Sequence, residues 1–168
     1  MNKWLTQLTK EVGVLASSLS KKEKPIVPSW SPSLNWATDS GGYRPGKINI
    51  LYGPESAGKS LLAMMAVVEL QRQDSEAISV WFDAEFSFNE RLFAKLGGDL
   101  DRLVVRKSND PLTIFDYIGG ELLEMLQDGA PIRSIVIDSI ASIRFPKDMK
   151  KQTTDMTMGG TGAAYLGS

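Results

Sequence analysis

Gly53-Pro54-Glu55-Ser56-Ala57-Gly58-Lys59-Ser60 satisfies the spacing G-x-x-x-x-G-K-[ST] at every fixed position. The chemistry of that pattern is phosphate capture. Glycines let the backbone curl until successive N–H groups converge on phosphate oxygens, where a Cβ would crowd the concavity. A helix starting at Lys59 adds its positive N-terminal end beneath the same phosphates. The expected cradle is Gly53, Pro54, Glu55, Ser56, Ala57, Gly58, Lys59, Ser60 and Leu61. Lys59 would reach the β- and γ-phosphates of ATP, and the Ser60 hydroxyl would ligate Mg²⁺.

Two carboxylates have the right type and place to complete such a site. Asp138 ends the apolar run Ile135-Val136-Ile137, the Walker-B position that holds Mg²⁺ directly or through water. Read alone, an aspartate after a strand is a turn residue; the motif upstream is what raises it to a metal ligand. Glu85, in Phe82-Asp83-Ala84-Glu85, can orient and deprotonate the water that attacks the γ-phosphate. Asp83 competes for the same task, and the bland alternative is a solvated carboxylate. The chain holds no histidine, so base work falls to a carboxylate.

Positioning these residues requires alternating strands and helices. Ile48–Tyr52 reads as a strand running into the cradle, Leu61–Gln73 as a helix and Ala77–Phe82 as a second strand. Asn89–Leu96 is a helix closed by Gly97-Gly98, and Leu103–Arg106 a third strand. Pro111–Gln127 is a helix capped by Asn109 or Asp110, and Ile132–Ile137 a fourth strand. A helical turn is expected at Leu34–Ala37. The pattern predicts a mostly parallel α/β sheet buried on both faces. After Ile143 the periodicity ends, and the chain reads as the first part of a larger domain.

Composition limits the function classes further. The 168 residues are 42% hydrophobic and 23% charged with net charge −1, the balance of a soluble globular domain. The absence of cysteine excludes disulfides and thiolate zinc sites. No apolar run is long enough to span a bilayer and no signal peptide is evident, so a cytoplasmic protein without membrane contact is expected. Residues 1–24 contain five lysines against two glutamates, and residues 133–151 five basic residues against two aspartates. Trp4, Leu5, Leu8, Val12, Leu15 and Leu19 form an amphipathic helix over 1–20, which packs either on its own domain or on a neighbour. The reading divides the chain into that helical segment (1–24), a linker (25–32) and an incomplete ATPase core (33–168).

The run from Ser33-Leu34-Asn35-Trp36-Ala37 through Gly41-Gly42 and Pro45-Gly46-Lys47 into Gly53-Pro54-Glu55-Ser56 resembles the RecA family of recombinases. Phe82-Asp83-Ala84-Glu85, Lys95-Leu96-Gly97, Asp99-Leu100-Asp101 and Val136-Ile137-Asp138-Ser139 carry the resemblance onward. It covers residues 31–145 and, more loosely, the first helix. These motifs do not separate phage recombinases of the UvsX kind from bacterial RecA.

The resemblance implies a RecA-like P-loop NTPase that polymerises on single-stranded DNA with ATP between subunits and exchanges strands in recombination and repair. Glu85 would be its catalytic glutamate, and helix 1–20 would dock on the adjacent protomer of the filament. The segment after Asp138, about Lys147–Gly160, would be a DNA loop, with Lys147, Lys150 and Lys151 on phosphates and Met156 or Met158 wedged between bases. The family's adenine pocket uses an Asp and an aromatic where this chain has Asn89 and Leu92, with Phe93 adjacent. The family core extends past residue 168, so whether the isolated chain is an enzyme stays open. Two other readings remain: a RecA-fold motor or switch ATPase of helicase or clock type, and a non-catalytic truncated paralogue that joins filaments.

Overall fold

The computed structural model describes residues 25–144. Three parallel strands form the sheet in the order β2-β1-β3, with β1 at Ile78–Asp83, β2 at Leu103–Lys107 and β3 at Ile132–Asp138. The central strand is buried from Ser79 to Asp83 and its side chains alternate between two cores. Val80 and Phe82 join Ile114, Leu122 and Ile143 on one face. Trp81 joins Met64, Val67, Val68, Phe93 and Leu103 on the other. The expectation of a sheet covered on both faces therefore holds for β1. It does not hold along β3, where Arg133 and Ile135 are exposed.

Helix α1 spans Pro32–Ala37; the Ser31 side chain caps it and proline opens it. Helix α2, Lys59–Gln73, buries Met64, Val67, Val68 and Gln71, the three- and four-residue spacing that turns one face to the sheet. Helix α3 is Glu90–Lys95, capped by Asn89. Helix α4, Pro111–Tyr117, is capped by Asp110 and continues through one wide π turn, Ile118–Leu122, into α5, Leu123–Gln127. The single expected helix over 111–127 is thus interrupted where Gly119 and Gly120 remove the side chains that hold a regular α-helical register.

The first expected strand, Ile48–Tyr52, does not form. The segment is irregular, with Ile48 92% and Tyr52 94% exposed. A strand needs a neighbour for its N–H and C=O groups, and no strand pairs with this segment among the described residues. Local polar bonds compete as well: the Asn49 side chain accepts from Arg44 N at 3.3 Å and donates to Arg44 O at 3.2 Å and Lys47 O at 3.1 Å.

The segment read as a linker is packed from Val27 onward. Val27 and Ser29 are buried, and Val27 exchanges backbone hydrogen bonds of 3.1 and 2.8 Å with Tyr43. Trp30 donates its indole N–H to Glu69 Oε2 at 2.9 Å, and Arg72 stacks 4.5 Å above its ring. Two contacts to one helix fasten this stretch to α2.

Candidate functional site

The carboxyl ends of β1 and β3 lie side by side, with Asp83 in register with Asp138. In a parallel sheet this edge is where ligands bind. The loop 53–58 meets the same edge because α2 begins at Lys59 and packs across the sheet. Gly58, the residue before that helix, has φ of 86°. Ser56 also holds a left-handed φ, 59°, a conformation that costs a non-glycine residue roughly 1–2 kcal/mol. The loop is exposed from Gly53 to Ala57.

Lys59 folds back over its own loop, donating to Gly53 O at 3.2 Å and Pro54 O at 2.8 Å. Its charge rests on neutral carbonyls, not on a carboxylate, so an incoming phosphate would not have to break an ion pair. Ser60, in the first turn of α2, lies near enough to Asp138 to act on its carboxylate, so the two motifs meet. Burial raises the Asp138 pKa above the ordinary aspartate value. Ser60 opposes that rise, Glu85 and Asp83 add to it, and Lys59 opposes it. Among the described residues no group of three or more metal-ligating side chains is assembled. The donor set of one hydroxyl and one carboxylate suits Mg²⁺, which takes few protein ligands and fills its shell with water and phosphate oxygens.

Asp83 and Glu85 separate clearly. Asp83 is fully buried, and its two oxygens accept the Ser87 and Phe88 backbone N–H groups at 3.0 Å each. That carboxylate is committed to the turn after β1. Glu85 is exposed on the site side, and its backbone N–H and that of Ala84 both donate to Asp138 O, at 3.3 and 2.7 Å. Its Oε1 accepts from Ser139 Oγ at 2.6 Å and Ser142 Oγ at 3.3 Å. Sequence reasoning assigned those serines no role. Their spacing across the turn Ile140–Ser142 was the available signal.

The adenine-pocket positions are engaged locally. Asn89 Oδ1 accepts from Leu92 N at 2.9 Å, Leu92 packs on the Trp81 core, and Phe93 is fully buried there. Phe93 is therefore not a base-stacking surface. Helix 1–20 and the residues Lys147, Lys150, Lys151, Met156 and Met158 lie outside the described residues. No described helix is long and apolar enough to cross a membrane.

The family described as RecA N-terminal domain matches residues 2–165. A "Protein RecA" of Bacteroides thetaiotaomicron is 34% identical over 140 residues, covering 83% of this chain and 40% of that protein. One from Tropheryma whipplei is 32% identical, covering 80% of this chain and 29% of that protein. One from Arthrobacter is 36% identical, covering 70% and 32%. The chain thus spans two fifths or less of the length of these relatives. With a match over nearly its whole length and the cradle, Asp138 and Glu85 gathered at one sheet edge, the chain belongs to the RecA N-terminal domain family.

Proposed function

We propose that this chain supplies the ATP-binding part of a DNA-dependent recombinase acting in homologous recombination and repair in the cytoplasm. The observation that carries the reading is the packing of α2, which begins at the phosphate loop, against β3, which ends at Asp138. In this reading Gly53 to Leu61 hold the nucleotide phosphates, with Lys59 moving from the loop carbonyls to the β- and γ-phosphates. Ser60 and Asp138 hold Mg²⁺, which when bound neutralises charge on the phosphates. Glu85 orients the attacking water and accepts its proton, since Asp83 is already committed to two backbone amides.

Residues 1–24 form the oligomerisation segment, and the ATPase core runs on from the packed leader. The helix at 1–20 docks on a neighbouring copy in a filament on single-stranded DNA. Lys147, Lys150 and Lys151 neutralise phosphates, with Met156 or Met158 between bases.

Titration with a fluorescent ATP analogue and Mg²⁺ tests the core of this reading. Lys59→Ala should lose about tenfold or more in affinity, the worth of one charge-assisted contact of about 1.5–3 kcal/mol. Equal binding by variant and parent rejects it. Replacing Lys147, Lys150 and Lys151 with alanine should flatten the salt dependence of single-stranded DNA binding, by about 0.7 in slope for each phosphate that is no longer neutralised. An unchanged slope removes these lysines from the DNA interface.

A further inference from the structure

We propose that Ser139, backed by Ser142, is a positioning residue that holds the Glu85 carboxylate in its working orientation. The inference rests on the reading of Glu85 as the water-orienting group. Glu85 is exposed, and an exposed glutamate samples several rotamers, whose loss on ordering carries an entropic cost. Something must hold it if one oxygen is to face a water reproducibly. The only side-chain donors on it among the described residues are the two serines, and both bonds go to Oε1. The Ser139 bond, at 2.6 Å, has the length of a strong hydroxyl-to-carboxylate bond. Oε2 is left without a protein hydrogen bond among the described residues and is the oxygen able to take a proton from water.

The serines are themselves well held. Asp138 O accepts from Ala84 N and Glu85 N, so the residue preceding Ser139 is tied to the backbone that carries the glutamate. Ser142 N donates to Ser139 O at 3.1 Å, closing a turn that sets the two hydroxyls 3.3 Å apart. Beyond the turn, Ile143 is buried in the core beside Phe82, and Arg144 N donates to Asn109 O at 2.9 Å. The hydroxyl pair is thus fixed at both ends, as a rigid support for a reacting side chain requires.

Steady-state ATP hydrolysis with Mg²⁺ and single-stranded DNA tests the proposal in parent and variants. Ser139→Ala should lower kcat by about 10- to 100-fold with KM within about twofold, because misorientation affects the reacting geometry and not phosphate binding. Ser139→Thr, which keeps the hydroxyl, should recover kcat to within about threefold of the parent. Adding Ser139→Ala to Glu85→Gln should slow turnover no further than Glu85→Gln alone; an additive loss overturns the proposal. If Glu85→Gln hydrolyses at the parental rate, the assignment of Glu85 itself fails. If Glu85→Gln is inactive while Ser139→Ala keeps the parental kcat, the positioning role alone fails. A readout independent of turnover is the carboxyl ¹³C resonance of Glu85 in the nucleotide-free chain. It should move on Ser139→Ala and return with Ser139→Thr, and an unmoved resonance overturns the contact.

Discussion

Asp83 and Asp138 are register partners on adjacent parallel strands, and their carboxylates face different work. The first is sealed in the interior on two backbone N–H groups; the second is half-buried, beside Ser60, Glu85 and Lys59. Strand register alone makes them equivalent. What separates them is the chain that follows each strand: Ser87 and Phe88 fold back over Asp83, whereas Asp138 is met by the start of α2.

Asp83 is accordingly a stability residue. Asp83→Ala takes the acceptor from the partly buried Ser87 and Phe88 N–H groups and should cost about 1–3 kcal/mol, while Asp83→Asn keeps one acceptor and should cost about half as much. Urea unfolding measures both. A loss below about 0.5 kcal/mol for Asp83→Ala contradicts the assignment.

Asp138 makes a prediction about pH. Its pKa is raised in the folded chain, chiefly by burial, so between the ordinary value of 3.8 and the raised one the folded state binds more protons than the unfolded state. Its contribution to stability therefore falls as pH rises through that window and stays unfavourable above it. Asp138→Asn should unfold at higher denaturant than the parent at pH 7, and the gap should shrink as pH falls through that window towards 3.8. A gap that widens on acidification reverses the sign and rejects the argument.

Phe93 and Gly98 form a packed pair, because a Cβ at Gly98 would run into the Phe93 ring. Gly98→Ala should destabilise by about 1–3 kcal/mol through overpacking, and Phe93→Ala by about 3–5 kcal/mol through a cavity. Neither should alter nucleotide affinity in the folded protein. An unchanged unfolding midpoint with a selective loss of ATP binding in Phe93→Ala would restore this ring as a base platform.

Gly120 offers a gain in stability. It sits in the π turn with open space around the position of a Cβ. Gly120→Ala should stabilise the chain by about 0.5–1 kcal/mol by reducing the freedom of the unfolded chain. Thermal unfolding checks this, and a lowered midpoint would mean that the wide turn needs glycine.

The phosphate loop, the Asp138 strand end and the placement of Glu85 after a strand were legible in the sequence, because each depends on neighbours within about eight residues. One cap was legible to within a residue, Asn109 or Asp110, for the same reason; Asp110 accepts from Thr113 N, three residues on. The irregular path of Ile48–Tyr52 was not, since an apolar run becomes a strand only where another strand meets its backbone. Nor could local sequence choose between Asp83 and Glu85, which differ by two positions in one short run. Tertiary structure gives them different surroundings, burying Asp83 under its own turn and bringing Ser139 and Ser142, distant in the chain, onto the Glu85 carboxylate. The physical reason is that hydrogen-bond partners of a side chain are set by which backbone segments pack together, a property of the folded sheet edge and not of residue spacing.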